Sequence, residues 1–388
     1  QRGRGRQLMA GSKLWSSQTG SDLGRNRSIW SALHLDPILL GLLLLLVGGG
    51  LFVLYSGADR NIDVVKAQGI RLGVAFVVMF VFAQLDPAVF RRWAPWLYGL
   101  GLIGLVAVLL VGVGAKGAQR WLALPGLPRF QPSEFMKLVV PMMAAWYLSR
   151  YYLPPTFPRV MTGLVIVLLP MFLIIQQPDL GTSLLVGMAG IFVVFFAGIS
   201  WKLIAAFLAM VSVSAPLMWF FVMREYQKQR VLTLLDPQSD PLGAGWNIIQ
   251  SKTAIGSGGM EGKGWLQGTQ SHLEFLPESH TDFIVAVLAE EFGFIGMLLL
   301  LTVYFLIILR CLYISVTAQD SFSRLVAGAL TMTFFIYIFV NIGMVSGLLP
   351  VVGVPLPLIS YGGTSSVTLM AAFGVLMSIH THRRMITA

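Results

Sequence analysis

The sequence predicts an all-α membrane protein, a bundle of ten transmembrane helices with one long extracytoplasmic loop and both termini in the cytoplasm. Three observations predict it. Of 388 residues, 56% are apolar and only 11% charged, against about 25% charged in soluble domains. Charge this sparse cannot cover a folded surface in water, and the mean hydropathy of +0.77 agrees. The apolar residues also gather into runs of about 20, the length a helix needs to cross a bilayer, and such runs are too long for strands. A soluble enzyme, a disulfide scaffold and a disordered chain are excluded.

Residues 1–30 form a polar tail with six basic residues and no apolar run, so they do not read as a signal peptide. The membrane domain is 31–384. Its first span opens at Asp36, placed to cap Pro37 and the run ILLGLLLLLVGGGLFVLYS. Further runs follow at 64–84, 93–114, 132–150, 159–175, 181–199, 203–222, 283–310, 324–346 and 365–380. Ten spans return both termini to one side. Placing that side inside sets the tail, Arg91, Arg92, Arg150, Arg159, Lys202, Arg310, Arg324, Arg383 and Arg384 on the cytoplasmic face. Among short loops the bias is nine basic residues to seven, which supports the orientation modestly.

The long segment 223–281 should be the extracytoplasmic loop. Loops this long are usually functional when ordered, and its turn signals, Gly-rich runs and aromatics read as ordered. The net charge of +10 reads as topology plus an anionic lipid or pyrophosphate partner, not nucleic acid. Cys311 is the single cysteine, which excludes an internal disulfide. The five histidines lack ligand spacing, so no metal site is assigned.

Polar groups that a bundle does not need mark candidate sites. Asp282, in FLPESHTDFIVAVLAEEFGFIG, lies near the start of a span at the membrane boundary. The helix's positive end favours its ionised form there, and both a cap and a general base fit it. Glu290 and Glu291 fall about 12 Å deeper, where acids are either functional or paired. Glu134 and Lys137, three residues apart at another helix start, share a face. Lys116, Arg120 and Arg129 make a basic outer loop, and Asp179 is placed to cap the next span. Arg224, Lys228 and Arg230 stand directly outside a span and suit a diphosphate. The run NIGMVSGLLPVVGVPLPLISYGGTSS interrupts the membrane pattern, which is tolerated only where backbone is buried or lines a cavity. Its Ser360, Thr364, Ser365 and Ser366 offer hydroxyls for an anion or sugar. Nucleotide signatures are missing: SGGMEGKG departs from a P-loop at both ends.

In combination KGAQRW, RFQPSEFMK, QQPDLGTS, DPLGAGW, FLPESHTDF and PVVGVPLPLISYGGTSS resemble the shape, elongation, division and sporulation (SEDS) family from about residue 30 to 384. HTDF followed by AVLAEE, and the ending MSIHTHRR, resemble its rod-elongation branch. The resemblance implies ten spans in the bacterial cytoplasmic (inner) membrane. It also implies a peptidoglycan glycosyltransferase that polymerises lipid II into glycan strands at the outer face, releasing undecaprenyl pyrophosphate. A class B penicillin-binding protein is the implied partner. The family's essential acid falls on Asp282, and its Glu/Lys pair on Glu134 and Lys137. On this reading Asp282 is the catalytic base, Lys116, Arg120, Arg224 and Arg230 offset pyrophosphate charge, and Ser360, Thr364 and Ser365 line the substrate cavity. No cofactor is required, and assistance from a divalent cation stays open. A lipid II flippase and a non-enzymatic scaffold of the elongation machinery are the alternatives.

Overall fold

The computed structural model describes residues 30, 33–115, 118–123, 130–199, 225–240, 244–269 and 280–382, and between them 201, 203, 205–206, 209, 212–213, 216 and 218–223. The tail therefore lies outside the described residues apart from residue 30, and so do Lys116, Arg129 and Arg224.

Several helices begin where the sequence supplies a capping side chain. Helix α1 (Pro37–Gly57) starts as Asp36 Oδ1 accepts from the amides of Ile38 at 3.0 Å and Leu39 at 3.3 Å, with Pro37 in the first position. Asn61 caps α2 (Ile62–Gln84) and Asp86 caps α3 (Pro87–Val111) in the same way. A short hairpin, β1 (Val113–Ala115) with β2 (Ala118–Trp121), leads to α4 (Pro132–Leu148). Then come α5 (Phe157–Gln176) and α6 (Leu180–Phe196), the latter capped by Asp179, which accepts from Thr182 N at 3.2 Å. Segment 223–281 carries α7 (Glu225–Leu235) and α8 (Ala244–Gly258). Helices α9 (Ile284–Val316), α10 (Ser321–Val345) and α11 (Thr364–Thr381) complete the chain.

Seven helices, α1, α2, α3, α5, α9, α10 and α11, are long and apolar enough to cross a membrane. The chain is a multi-pass membrane protein. Helices α4 and α6 have 17 residues each, at the short end of the spanning range, and the run at 203–222 is described only in part. One expectation changes in kind. The run at 283–310 is not one continuous helix, because α9 breaks at Gly293 (φ 62°, ψ −157°).

Helix α10 is the hub, with 72% of its apolar window buried against 22% for α2. Ile70, Val77, Leu100, Ile103 and Val165 are exposed on α2, α3 and α5, as surfaces facing lipid would be.

Polar contacts gather at two ends. At one, Arg310 Nε lies 2.8 Å from Asp36 Oδ2, His34 stacks on His382 at 3.9 Å, and Ser378 Oγ donates to Leu85 O. The other end holds the candidate site. Consecutive helices alternate between these ends. Gly198 lies against Pro154 at the Asp36 end, whereas Ser251 donates to Val345 O at the site end. The chain therefore changes ends between residues 198 and 251.

Candidate active site

Asp282 sits in the turn before α9, ahead of the N-cap residue Phe283, half-buried. Two segments hold that turn. Tyr361 N donates to His280 O at 2.9 Å. Asn341, fully buried on α10, uses its Nδ2 twice, donating to Asp282 O at 2.9 Å and Val354 O at 2.7 Å. The carboxylate itself passes Gly353: a β carbon built there would lie 3.5 Å from Asp282 Oδ2. Gly353 has φ +72°, a conformation that suits glycine.

The irregular run 346–363 needs partners for its backbone at membrane depth. Side chains from three helices supply them. Gln68 of α2 donates to Ser360 O and Gly362 O, both at 3.3 Å, and accepts from Gly362 N at 3.2 Å. Tyr304 of α9 donates to Pro357 O at 2.7 Å, and Arg71 of α2 lies 4.4 Å over the Tyr361 ring. Ser360 and Ser366 act within the run itself. Ser360 Oγ accepts from Leu356 N at 2.8 Å, so this hydroxyl folds the loop, and Ser366 Oγ donates to Gly362 O. Thr364 and Ser365 open α11, half-buried.

A second buried cluster adjoins the first through α10. Lys137 Nζ lies 2.6 Å from Glu134 Oε1 and also bonds Tyr337 OH, with both members of the pair buried. Tyr337 precedes Asn341 by one turn, about 6 Å along the axis. The Glu134–Lys137 pair and the Asp282 turn thus lean on consecutive turns of one helix. A third group closes the side. Arg120 Nη2 donates to Pro178 O at 2.7 Å and its Nε lies 3.7 Å from Asp179 Oδ2, while Gln131 Nε2 reaches the same oxygen at 3.3 Å. The start of α6 packs on the irregular run, since a β carbon on Gly181 would lie 2.8 Å from Val352 O. Asp179 is therefore a helix cap that also anchors Arg120.

Asp282, Glu134, Lys137, Arg120, Ser360, Thr364 and Ser365 come to one end of the bundle. Arg230 is on α7, half-buried, where that helix packs against α8 and the 237–239 turn. Glu290 and Glu291 are both paired. Lys263 Nζ and Thr269 N lie 2.7 and 2.8 Å from Glu290 Oε1, and Ser56 Oγ donates to Glu291 Oε1. Asn341, Tyr337, Gln68 and Arg71 were not singled out from sequence, although each is a polar group within an apolar run. Among the described residues no three His, Cys, Asp or Glu side chains gather as a metal set.

A family model described as cell cycle protein, covering FtsW, RodA and SpoVE, matches residues 32–385. The chain is 52% identical to the peptidoglycan glycosyltransferase MrdB of Escherichia coli K12 over 367 residues, 95% of this chain and 99% of that protein. It is 36% identical to a probable peptidoglycan glycosyltransferase FtsW of Trichlorobacter lovleyi, covering 89% of this chain and 92% of that one. Among solved structures, a chain from work on the coordination of polymerization and crosslinking by a peptidoglycan synthase complex superposes with a TM-score of 0.80. It is 30% identical, and the match covers 90% of this chain and 98% of that one. The rod shape determining protein RodA of Thermus thermophilus superposes with a TM-score of 0.68 at 26% identity, covering 90% of this chain and 98% of that one.

Proposed function

The chain belongs to the FtsW, RodA and SpoVE family of cell cycle proteins, and from that premise we propose that it is a peptidoglycan glycosyltransferase of cell elongation and rod shape. It polymerises lipid II at the outer face of the bacterial inner membrane. The observation that carries the reading is the held Asp282 turn, with its carboxylate against Gly353 at the end of the bundle where the Glu134–Lys137 pair is buried.

The chemistry follows from the substrate. Lipid II presents its sugars on undecaprenyl pyrophosphate, so reacting atoms and leaving group meet at the membrane surface. Asp282 accepts the proton of the acceptor GlcNAc 4-hydroxyl, and that oxygen bonds the donor MurNAc anomeric carbon. The bond from that carbon to the pyrophosphate oxygen breaks with inversion, and undecaprenyl pyrophosphate leaves. One base and one good leaving group suffice. Cationic groups offset the growing charge: Arg120, which Asp179 and Pro178 O fix, together with Lys116, Arg224 and Arg230. Thr364 and Ser365 add hydroxyls and amides at the start of α11. Glu134 and Lys137 position the site through Tyr337 and α10.

Ten spans fit this reading. The change of ends between residues 198 and 251 asks for a crossing at 203–222, and an outer Asp282 then puts both termini inside. A class B penicillin-binding protein is the natural partner, since the similar synthase complex couples polymerization to crosslinking. A lipid II flippase is less well supported: of Glu290 and Glu291, the acids that suit ion coupling, the first is tied to Lys263 and Thr269 and the second accepts from Ser56 Oγ. The test is to supply the purified protein in liposomes with fluorescent lipid II, with the transpeptidase partner and with or without EDTA. Glycan polymer is expected. Translocation without polymer would favour the flippase, and growth supported by Asp282→Ala would favour the scaffold.

A further inference from the structure

The geometry points to an anionic phospholipid headgroup site at the membrane face opposite Asp282, held by Arg91, Arg92 and Arg150. These arginines line a cavity of about 410 Å³ with Ala88, Trp146 and Ser149. It lies where α3 begins and α4 ends. Arg150 is 16 residues beyond Glu134 along α4 and its end, so roughly 24 Å separates this cavity from the site end.

Three observations give the cavity its chemistry. First, it is basic. Among the described residues none of the three arginines pairs with a carboxylate. Asp86, which caps α3 at Ala88 N, and Asp320, which caps α10 at Ser323 N, line a separate cavity that Arg91 borders and that Arg92 and Arg150 do not. Second, one arginine is preset. The Arg150 guanidinium lies 3.5 Å over the Trp146 ring, which occupies its flat face and leaves its N–H edge for a phosphate. Third, exposed aromatic side chains flank the arginines along the chain. Trp93, Trp96 and Tyr152 are 54%, 75% and 96% exposed, and Arg159 stacks over Tyr151 at 4.0 Å. Exposed tryptophan and tyrosine beside arginine mark the headgroup level of a bilayer. A basic pocket between helices at that level selects lipids that carry a phosphate and no compensating amine.

The occupant is therefore a phosphatidylglycerol or cardiolipin headgroup drawn from the surrounding leaflet, separate from the lipid-linked sugar that reacts at the other face. The full-length protein, delipidated in detergent, is titrated with dioleoyl phosphatidylglycerol, tetraoleoyl cardiolipin and dioleoyl phosphatidylethanolamine. Bound lipid is counted by native mass spectrometry. Wild type should hold the two anionic lipids about tenfold or more tighter than phosphatidylethanolamine, each basic side chain contributing several-fold. The triple variant Arg91→Gln, Arg92→Gln, Arg150→Gln should lose that preference and keep lipid II polymerisation. The single variant Arg150→Gln, at the exposed end of α4, should lose about threefold and carries the test if the triple variant fails to elute as a single species. Lys66→Gln, on the opposite face, should bind as wild type. Anionic-lipid binding unchanged in the arginine variants, an equal loss in Lys66→Gln, or full displacement by millimolar inorganic phosphate would each overturn the proposal.

Discussion

Lys137 answers two groups at once, the Glu134 carboxylate at 2.6 Å and the Tyr337 hydroxyl, with no more than a few per cent of its surface exposed. Removing one member of a buried pair leaves the other charge desolvated, at a cost of about 3–5 kcal/mol. Lys137→Met should therefore lower the thermal midpoint sharply in detergent, and adding Glu134→Gln should recover much of it without restoring polymerisation. Recovery of both would reduce the pair to a packing role. Asn341→Leu tests the neighbouring turn. It leaves Asp282 O and Val354 O without their donor, each loss being worth about 1–3 kcal/mol. Steady-state kinetics should show the turnover number falling more than KM changes. These residues divide cleanly by legibility. Asp36 and Asp179 were readable as caps because a cap reaches only two or three residues ahead. Asn341 and Gln68 were not, because their partners lie 59 and 292 residues away. Ser360 was read as a cavity hydroxyl, but it turns back four residues to Leu356 N.

At the scale of elements, the break in α9 stands out. Gly293 frees backbone groups, and the 258–264 segment takes them up: Phe294 N donates to Gly259 O at 3.0 Å, Ile295 N to Met260 O at 3.1 Å, and Gly264 N to Glu291 O at 3.0 Å. Lys263 adds its ammonium to Glu290. The loop is thus stitched to the same short helical stretch, 284–292, that begins beside Asp282. Gly293→Ala should undo this, since its β carbon would sit 2.4 Å from Gly262 N and its φ of +62° disfavours an L residue. Limited proteolysis should then cut within 259–269 faster than in wild type, and unchanged protection would mean the loop docks without that break. Sequence pattern could not give this feature. EEFGFIGML reads as uninterrupted helix, and only the remote Gly-rich loop explains why it stops. The irregular run 346–363 was legible for the opposite reason, because three prolines and a Gly-Gly announce it locally.

For the molecule as a whole, scarce charge was enough to predict a helical membrane bundle, and seven helices are long and apolar enough to cross. The remaining crossings are harder to read. Helix α4 carries Glu134 and Lys137 inside the bundle, and helices of 17 residues fall at the short end of the spanning range. The alternation of ends makes a concrete prediction about sidedness. In a Cys311→Ser background, a single cysteine at Asp59 should react with a membrane-impermeant maleimide added outside intact spheroplasts. One at Tyr152 should react only after permeabilisation. The reverse pattern would invert the orientation and move Asp282 to the cytoplasm. The most direct measurement of the central claim is polymerisation of purified lipid II by wild type and Asp282→Asn, each with its transpeptidase partner, read as glycan strands on a gel. Loss of a general base predicts a fall of about 10²-fold or more in a variant that elutes and melts as wild type. Glycan strands formed at the wild-type rate by Asp282→Asn would contradict the account.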